Sequence, residues 1–231
     1  MRIYKNFAEA VDETKRNLYE MGIRVHPHSM QNKIVKNNEE YSSLEIQGEV
    51  FSVEDTSDRD KMVGDNLAYC KAEFAERIVK TVNPGKSYKL RLKVWKEFLV
   101  NEKMDYTYSE RMFPQLEKTI AEMKRNPDTR QAIIEIHNNK LDLEAMGGKK
   151  RIPCSMYYQL MIRKDPQGIP RVNIIYTMRS CDYYTHFKND MWLACELKDY
   201  VAKRLGIKPG TFTMFIGSLH AYKKDFETGV F

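Results

Sequence analysis

Apolar and polar residues recur along this chain with two periods, and the switches between them outline its elements. A helical period runs through residues 6–22, 66–82, 111–125 and 189–205, the last marked by Met191, Trp192, Cys195, Leu197, Val201 and Leu205. These spacings predict four helices. Asn83-Pro84-Gly85 is expected to stop the second, Asn126-Pro127-Asp128 follows the third, and Gly206 closes the fourth. Alternation with period two runs through 43–53, around Gly48. Further β-type runs occupy 131–137, 155–163, 171–179 and 211–217, with a turn at Asp165-Pro166-Gln167-Gly168. Helices and strands are mixed without regular strand–helix–strand alternation. An α+β fold follows, as a single domain over residues 1–231.

Composition narrows the class. A chain of 231 residues, 42% hydrophobic and 30% charged, can bury one full core. No apolar run approaches the ~20 residues that span a bilayer. The N-terminal segment has acidic residues throughout and reads as an amphipathic helix, not a secretory leader, so cytoplasmic residence is expected. The net charge is +6, but basic residues interleave with acids, as Lys86, Lys89, Arg91 and Lys93 do with Glu97 and Glu102. That pattern suits a solvated surface with a mild pull on anionic small molecules; no nucleic-acid or membrane partner is expected. Cys70, Cys154, Cys181 and Cys195 show no C-x-x-C spacing, so neither a disulfide framework nor a metal site is expected. Gly85, Gly147 and Gly148 are isolated turn glycines, not a phosphate loop.

Five segments carry candidate chemistry. Ile152-Pro153-Cys154-Ser155 puts a cysteine after a proline at the start of a β run, where a nearby cation such as Arg179 would favour a nucleophilic thiolate. Met178-Arg179-Ser180-Cys181-Asp182 offers a guanidinium whose planar fork matches phosphate oxygens. Phe187-Lys188-Asn189-Asp190 opens a helix. Gly217-Ser218-Leu219-His220-Ala221-Tyr222 puts a histidine and a tyrosine two apart, on one face of a strand. Asn126-Pro127-Asp128-Thr129-Arg130 adds a further arginine. Taken singly, each also reads as an ordinary core or surface element.

In their order along the chain, across residues 66–226, the segments resemble the thymidylate synthases and deoxycytidylate hydroxymethylases. The resemblance implies a mixed sheet with flanking helices and a homodimer with shared sites. It implies a pyrimidine nucleoside monophosphate as substrate and 5,10-methylenetetrahydrofolate as co-substrate. It makes Cys154 the nucleophile and Arg179 and Ser180 the phosphate ligands. Arg130 would be donated across the dimer to the partner's phosphate. Gln131 stands where a second arginine is usual, so phosphate binding is expected to be weaker or rearranged. His220 and Tyr222 would hold the sugar hydroxyl. Asp182 and Trp95 would face the folate, Tyr108 would be an active-site tyrosine, and Glu73, or failing it Glu76, would order water. Arg24 is the nearest basic residue to the family's N-terminal phosphate-loop arginine. Ser155 replaces a frequent histidine, as suits a hydroxymethylase. The segment after Tyr222 is short for a tail that closes over folate.

Asp190 decides the substrate reading. Uracil-acting members carry asparagine at this position. Uracil offers an acceptor at ring position 4 and a donor at position 3, and an amide meets both. Cytosine offers the reverse, and a carboxyl group accepts from its amine while sharing a proton with ring nitrogen 3. The wrong base would leave a buried acceptor against a carboxylate. Asn189 stays as the alternative reader. The expectation is a cytidylate 5-hydroxymethyltransferase acting on dCMP or CMP. The alternatives are a thymidylate synthase methylating dUMP and a non-catalytic nucleotide-binding relative.

Overall fold

The computed structural model describes residues 1–226. Among them, seven strands form one sheet: β1 (Arg2–Asn6), β2 (Ile23–Val25), β3 (Ser43–Asp55), β4 (Ile133–Glu135), β5 (Ser155–Lys164), β6 (Pro170–Asp182) and β7 (Lys208–Tyr222). Their order is β1–β3–β7–β6–β5–β4, and β2 pairs with the N-terminal half of β3. β1/β3 and β6/β7 run parallel and the other pairs antiparallel, giving the mixed sheet expected. The long helices are α1 (Phe7–Met21), α2 (Leu67–Arg77), α3 (Tyr108–Arg125) and α4 (Lys188–Leu205).

Local chemistry sets where these helices begin and end. Asn6 caps α1 by accepting from the Glu9 amide at 2.9 Å. α3 starts three residues before the expected position because Thr107 and Glu110 cap it reciprocally. α2 stops at Arg77, short of Asn83-Pro84-Gly85. The Ser109 hydroxyl draws the following segment away, accepting from the Thr81 amide and donating to the Val79 carbonyl. β1 has no counterpart in the sequence pattern. It is a five-residue edge strand on which Tyr4 is buried and Ile3 exposed, too short to register a period.

β6 and β7 run past their expected ends at 179 and 217, and that extension builds the site. Parallel neighbours need a crossover, supplied here by one π-helical turn, Tyr183–Phe187, and α4. On one face the paired rows are Tyr176 with Met214 and Met178 with Ile216, all buried. The next rows are Ser180 with Ser218 and Asp182 with His220. β3 continues them with Gln47 and Glu45. The apolar stripe turns polar while the backbone pairing carries on, so a hydrophobic pattern ends before the strand does. α4 packs against β6 and β7 and buries Trp192, Cys195 and Leu197, and Phe51 meets both Phe187 and Phe212 in the core.

Gly217 of β7 lies against the Arg179 backbone of β6. A Cβ there would stand 2.8 Å from the Arg179 carbonyl oxygen, inside contact distance of backbone. Gly217→Ala is expected to destabilise the protein by roughly 1–3 kcal/mol, the usual cost of overpacking. Chemical denaturation checks this; an unchanged midpoint would mean the strands separate freely.

Candidate functional site

Every residue that the sequence nominated for the site, except Arg130 and Arg24, lines one pocket of about 430 Å³ at the carboxyl ends of β6 and β7. Arg130 is exposed on the loop after α3, away from that pocket.

Cys154 sits at the mouth of β5. Its carbonyl accepts from the Arg179 amide at 2.8 Å, adding one rung to the β5/β6 ladder. A bulge between Ser155 and Tyr157 breaks the regular register just beyond it. Three donors face its sulfur: Gln31 Nε2 at 3.5 Å, Ser180 Oγ at 3.7 Å and Arg179 Nη2 at 3.9 Å. Arg179 is itself held by the carbonyls of Pro153 and Ile152 at 2.9 and 3.1 Å. Cys154 is half-buried, whereas Cys70, Cys181 and Cys195 are buried and burial raises each of their thiols, Cys70 and Cys195 to about 12. Only Cys154 therefore combines access with a cationic, donor-rich surround.

Asp190 lies at the first turn of α4, and its carboxyl accepts from the Cys181 thiol at 3.7 Å. Burial drives its pKa up to about 7, against the opposing pull of the Arg77 and Arg91 cations. Asn189 is turned into the protein instead. Its Oδ1 accepts from Cys70 at 3.5 Å and its Nδ2 donates to the Thr185 carbonyl at 3.4 Å. Of the two candidate readers, Asp190 is the one not committed to neighbouring backbone.

The remaining wall is polar and tied together. Asp182 Oδ1 accepts from the Tyr184 and Thr185 amides, both at 3.1 Å. Ser218 donates to Glu45 at 2.6 Å. The His220 and Tyr222 rings stand 4.9 Å apart, and burial lowers the His220 pKa. Tyr108 meets the Ser155 hydroxyl at 3.1 Å, and Ser155 is bonded in turn to Tyr176. Ser155 thus belongs to a buried hydroxyl chain beneath the pocket.

Glu73 and Glu76 differ in their ties. Glu73 pairs with Arg77 at 3.0 Å and accepts from Ser87 Oγ at 2.9 Å. Glu76 accepts from both the Ser87 amide and hydroxyl, at 2.8 and 2.7 Å, and lies against Gly85, where a Cβ would overlap its carboxylate. Glu76 therefore buttresses the loop, which leaves Glu73 as the carboxylate coupled to a buried cation.

Sequence reasoning missed three pocket residues. Arg77 is buried, donates to Tyr158 at 3.2 Å and lies 4.1 Å from the Tyr108 ring centre; its spacing of four from Glu73 was the available signal. Gln31 reaches Cys154 from the small hairpin after β2 and accepts from the Ile152 amide at 3.1 Å, a contact between distant segments that sequence spacing cannot show. Arg24 is instead exposed on β2. Arg151, caged by Trp95, Phe98 and Tyr106, is the third. Trp95 faces His186 at 5.5 Å, and burial lowers that histidine to about 4. The tail reading falls partly on residues 227–231, outside the described ones.

A family model described as Thymidylate synthase matches residues 66–229, more than half of the chain. The chain belongs to the thymidylate synthase family. It is 26% identical over 129 residues to a "Putative thymidylate synthase" of Methanosarcina barkeri, covering 53% of this chain and 55% of that protein. Against a protein so described from Methanocaldococcus jannaschii the identity is 27% over 125 residues, covering 53% and 54%. The "Thymidylate synthase" of Saccharomyces cerevisiae is 26% identical over 162 residues, covering 68% of this chain and 50% of that protein. The chain spans about half the length of the curated relatives it matches. The family is one of transferases that use methylenetetrahydrofolate as co-substrate for a pyrimidine nucleotide. Among the described residues no helix is long and apolar enough to cross a membrane, and no group of three or more His, Cys, Asp and Glu side chains could hold a metal ion.

Two outcomes follow from the site. Iodoacetamide at neutral pH is expected to modify one thiol fast and three slowly, and Cys154→Ser should remove the fast phase, as peptide mapping by mass spectrometry would read. Asp190 sets a stability change with pH. Its folded pKa of about 7 exceeds the ordinary 3.8, so the folded form holds a proton that the unfolded form has lost. Stability therefore falls as pH rises from about 4 to about 7. Solvent in the pocket screens part of this, so Asp190→Asn should be more stable than the parent at pH 8 by on the order of 2 kcal/mol, with no gain at pH 4. Denaturation at the two pH values measures it.

Proposed function

We propose that this protein is a cytidylate 5-hydroxymethyltransferase, and the observation that carries the reading is the Asp190 carboxyl in one pocket with the Cys154 thiol. Cys154 bonds to ring carbon 6 of the pyrimidine, which makes carbon 5 nucleophilic. Arg179 and Ser180 hold the 5′-phosphate beside it, and His220 and Tyr222 the sugar. Asp190 holds the cytosine edge and keeps one proton between its carboxyl and ring nitrogen 3. Glu73, fixed by Arg77, orders the water that completes the reaction before the thiolate leaves. Trp95 and His186 form an aromatic wall near the Asp182 carboxylate, a surround that suits a flat heterocycle bearing N–H groups. Methylenetetrahydrofolate would supply the one-carbon unit there and leave as tetrahydrofolate, while carbon 5 gives up its proton to solvent. A homodimer would let the exposed Arg130 serve the partner's phosphate.

The names of the relatives favour a second reading, methylation of a uracil nucleotide. Tritium release from carbon 5 of labelled dCMP, CMP and dUMP, with methylenetetrahydrofolate and mass analysis of the product, separates the two. Release from a cytidylate with a hydroxymethyl mass gain is expected, and Cys154→Ser should lower turnover about a thousandfold or more while keeping nucleotide binding. Release from dUMP alone with a methyl gain would establish the second reading.

Base preference should also depend on pH. Below about 7 the neutral Asp190 carboxyl offers one donor and one acceptor, a pair that either base can meet. Above it, only a base whose ring nitrogen is basic enough to share the proton keeps both bonds. The ratio of kcat/KM for dCMP over dUMP is thus expected to rise from pH 6 to pH 8, and Asp190→Asn should abolish that rise. A flat ratio in the parent would remove Asp190 as the base reader.

A further inference from the structure

Arg151 precedes the Ile152-Pro153-Cys154 segment and lines the same pocket, yet it is only 7% exposed. Its guanidinium is caged by rings, 5.3 Å from Trp95, 5.3 Å from Phe98 and 4.8 Å from Tyr106. Nη1 donates to the Met104 sulfur at 3.3 Å, a weak acceptor. The Asp105 carboxylate accepts from the Arg151 backbone amide, not from its side chain. Among the described residues no carboxylate forms an ion pair with Arg151, and no acceptor bonds to Nε or Nη2.

A buried cation without a counter-charge is costly, and aromatic faces offset only part of that cost. Elsewhere in the pocket the buried Arg77 is paired with Glu73, and Arg179, which donates to the carbonyls of Ile152 and Pro153, is exposed. Arg151 is different. Its two unused donors, Nε and Nη2, form one edge of the guanidinium fork, the edge that takes a carboxylate with two parallel hydrogen bonds. Arg151 stands with Trp95 in the pocket lining, on the side proposed for the one-carbon donor.

We propose that Arg151 is the receptor for a carboxylate on the one-carbon donor, an assignment that rests on the proposed function. It adds to the pocket an anion subsite distinct from the nucleotide phosphate site at Arg179 and Ser180. Trp95, Phe98 and Tyr106 exclude water around the cation and so strengthen the charge pair once the ligand supplies its partner.

Calorimetric titration of the full chain under anaerobic conditions tests this with three probes: tetrahydrofolate, 6-methyltetrahydropterin, which has the ring but no carboxylate, and dCMP. Arg151→Met keeps the bulk and removes the charge. It is expected to weaken tetrahydrofolate about thirtyfold or more, about 2 kcal/mol at 1.4 kcal/mol per tenfold, and to leave the other two within about twofold. Unchanged binding of those two probes also reports that the variant is folded. Arg151→Lys keeps a point charge without the fork and should fall between. Equal losses for both pterins, no loss for either, or a loss confined to dCMP would each overturn the proposal and leave the functional reading standing. Wild-type protein that binds neither pterin would overturn the reading itself, and the proposal with it.

Discussion

The parallel pairing of β6 with β7 is the constraint on which the site depends. Two parallel neighbours cannot be joined by a tight turn, so the chain must leave the sheet, cross its face and return. The crossover here is α4, and its first turn carries Asp190. One β–α–β unit therefore fixes Arg179, Ser180 and Asp182 at the end of one strand, His220 and Tyr222 at the end of the other, and Asp190 between them. Register does the rest: Ser180 stands beside Ser218 and Asp182 beside His220. A slip of one residue would turn each of these side chains to the opposite face.

The second half of the pocket is assembled by another means. Glu73 and Arg77 come from α2, Tyr108 from the start of α3, Gln31 from a hairpin near the N-terminus and Arg151 from the loop before β5. No ladder aligns them. Glu73 and Arg77 are held by their ion pair, Tyr108 by the hydroxyl chain through Ser155 to Tyr176, Gln31 by the Ile152 amide, and Arg151 by the rings of Trp95, Phe98 and Tyr106. The two walls also differ in their electrostatics. Asp190 is a carboxyl that burial pushes towards neutrality, whereas the facing segments supply buried cations.

This division explains what could be read from the sequence. The β–α–β half is contiguous, so residues 178–190 and 217–222 kept their spacing as motifs and their roles could be named together. Cys154 was legible because its proline and the following β run are local. The other half was not, because Gln31 meets Cys154 across the fold and Arg151 gains its meaning only from rings that it follows by tens of residues. Spacing does not distinguish Asn189 from Asp190; only in the fold are the Asn189 contacts with Cys70 and Thr185 visible. Strand ends were misplaced for a related reason. A hydrophobic period detects burial, and where β6 and β7 enter the pocket they stay paired while their side chains turn polar.

Arg179 joins two tasks that are usually discussed apart. The guanidinium that faces the pocket is bonded to the two carbonyls preceding Cys154, and its own amide is bonded to the Cys154 carbonyl. A pull on this side chain is a pull on the peptide planes that aim the sulfur. On the proposed function, anchoring an anion and aligning the nucleophile would be one mechanical event, with the backbone of residues 152–154 as the linkage. Ligands that lack the anion would leave that linkage slack even where the ring alone can enter the pocket.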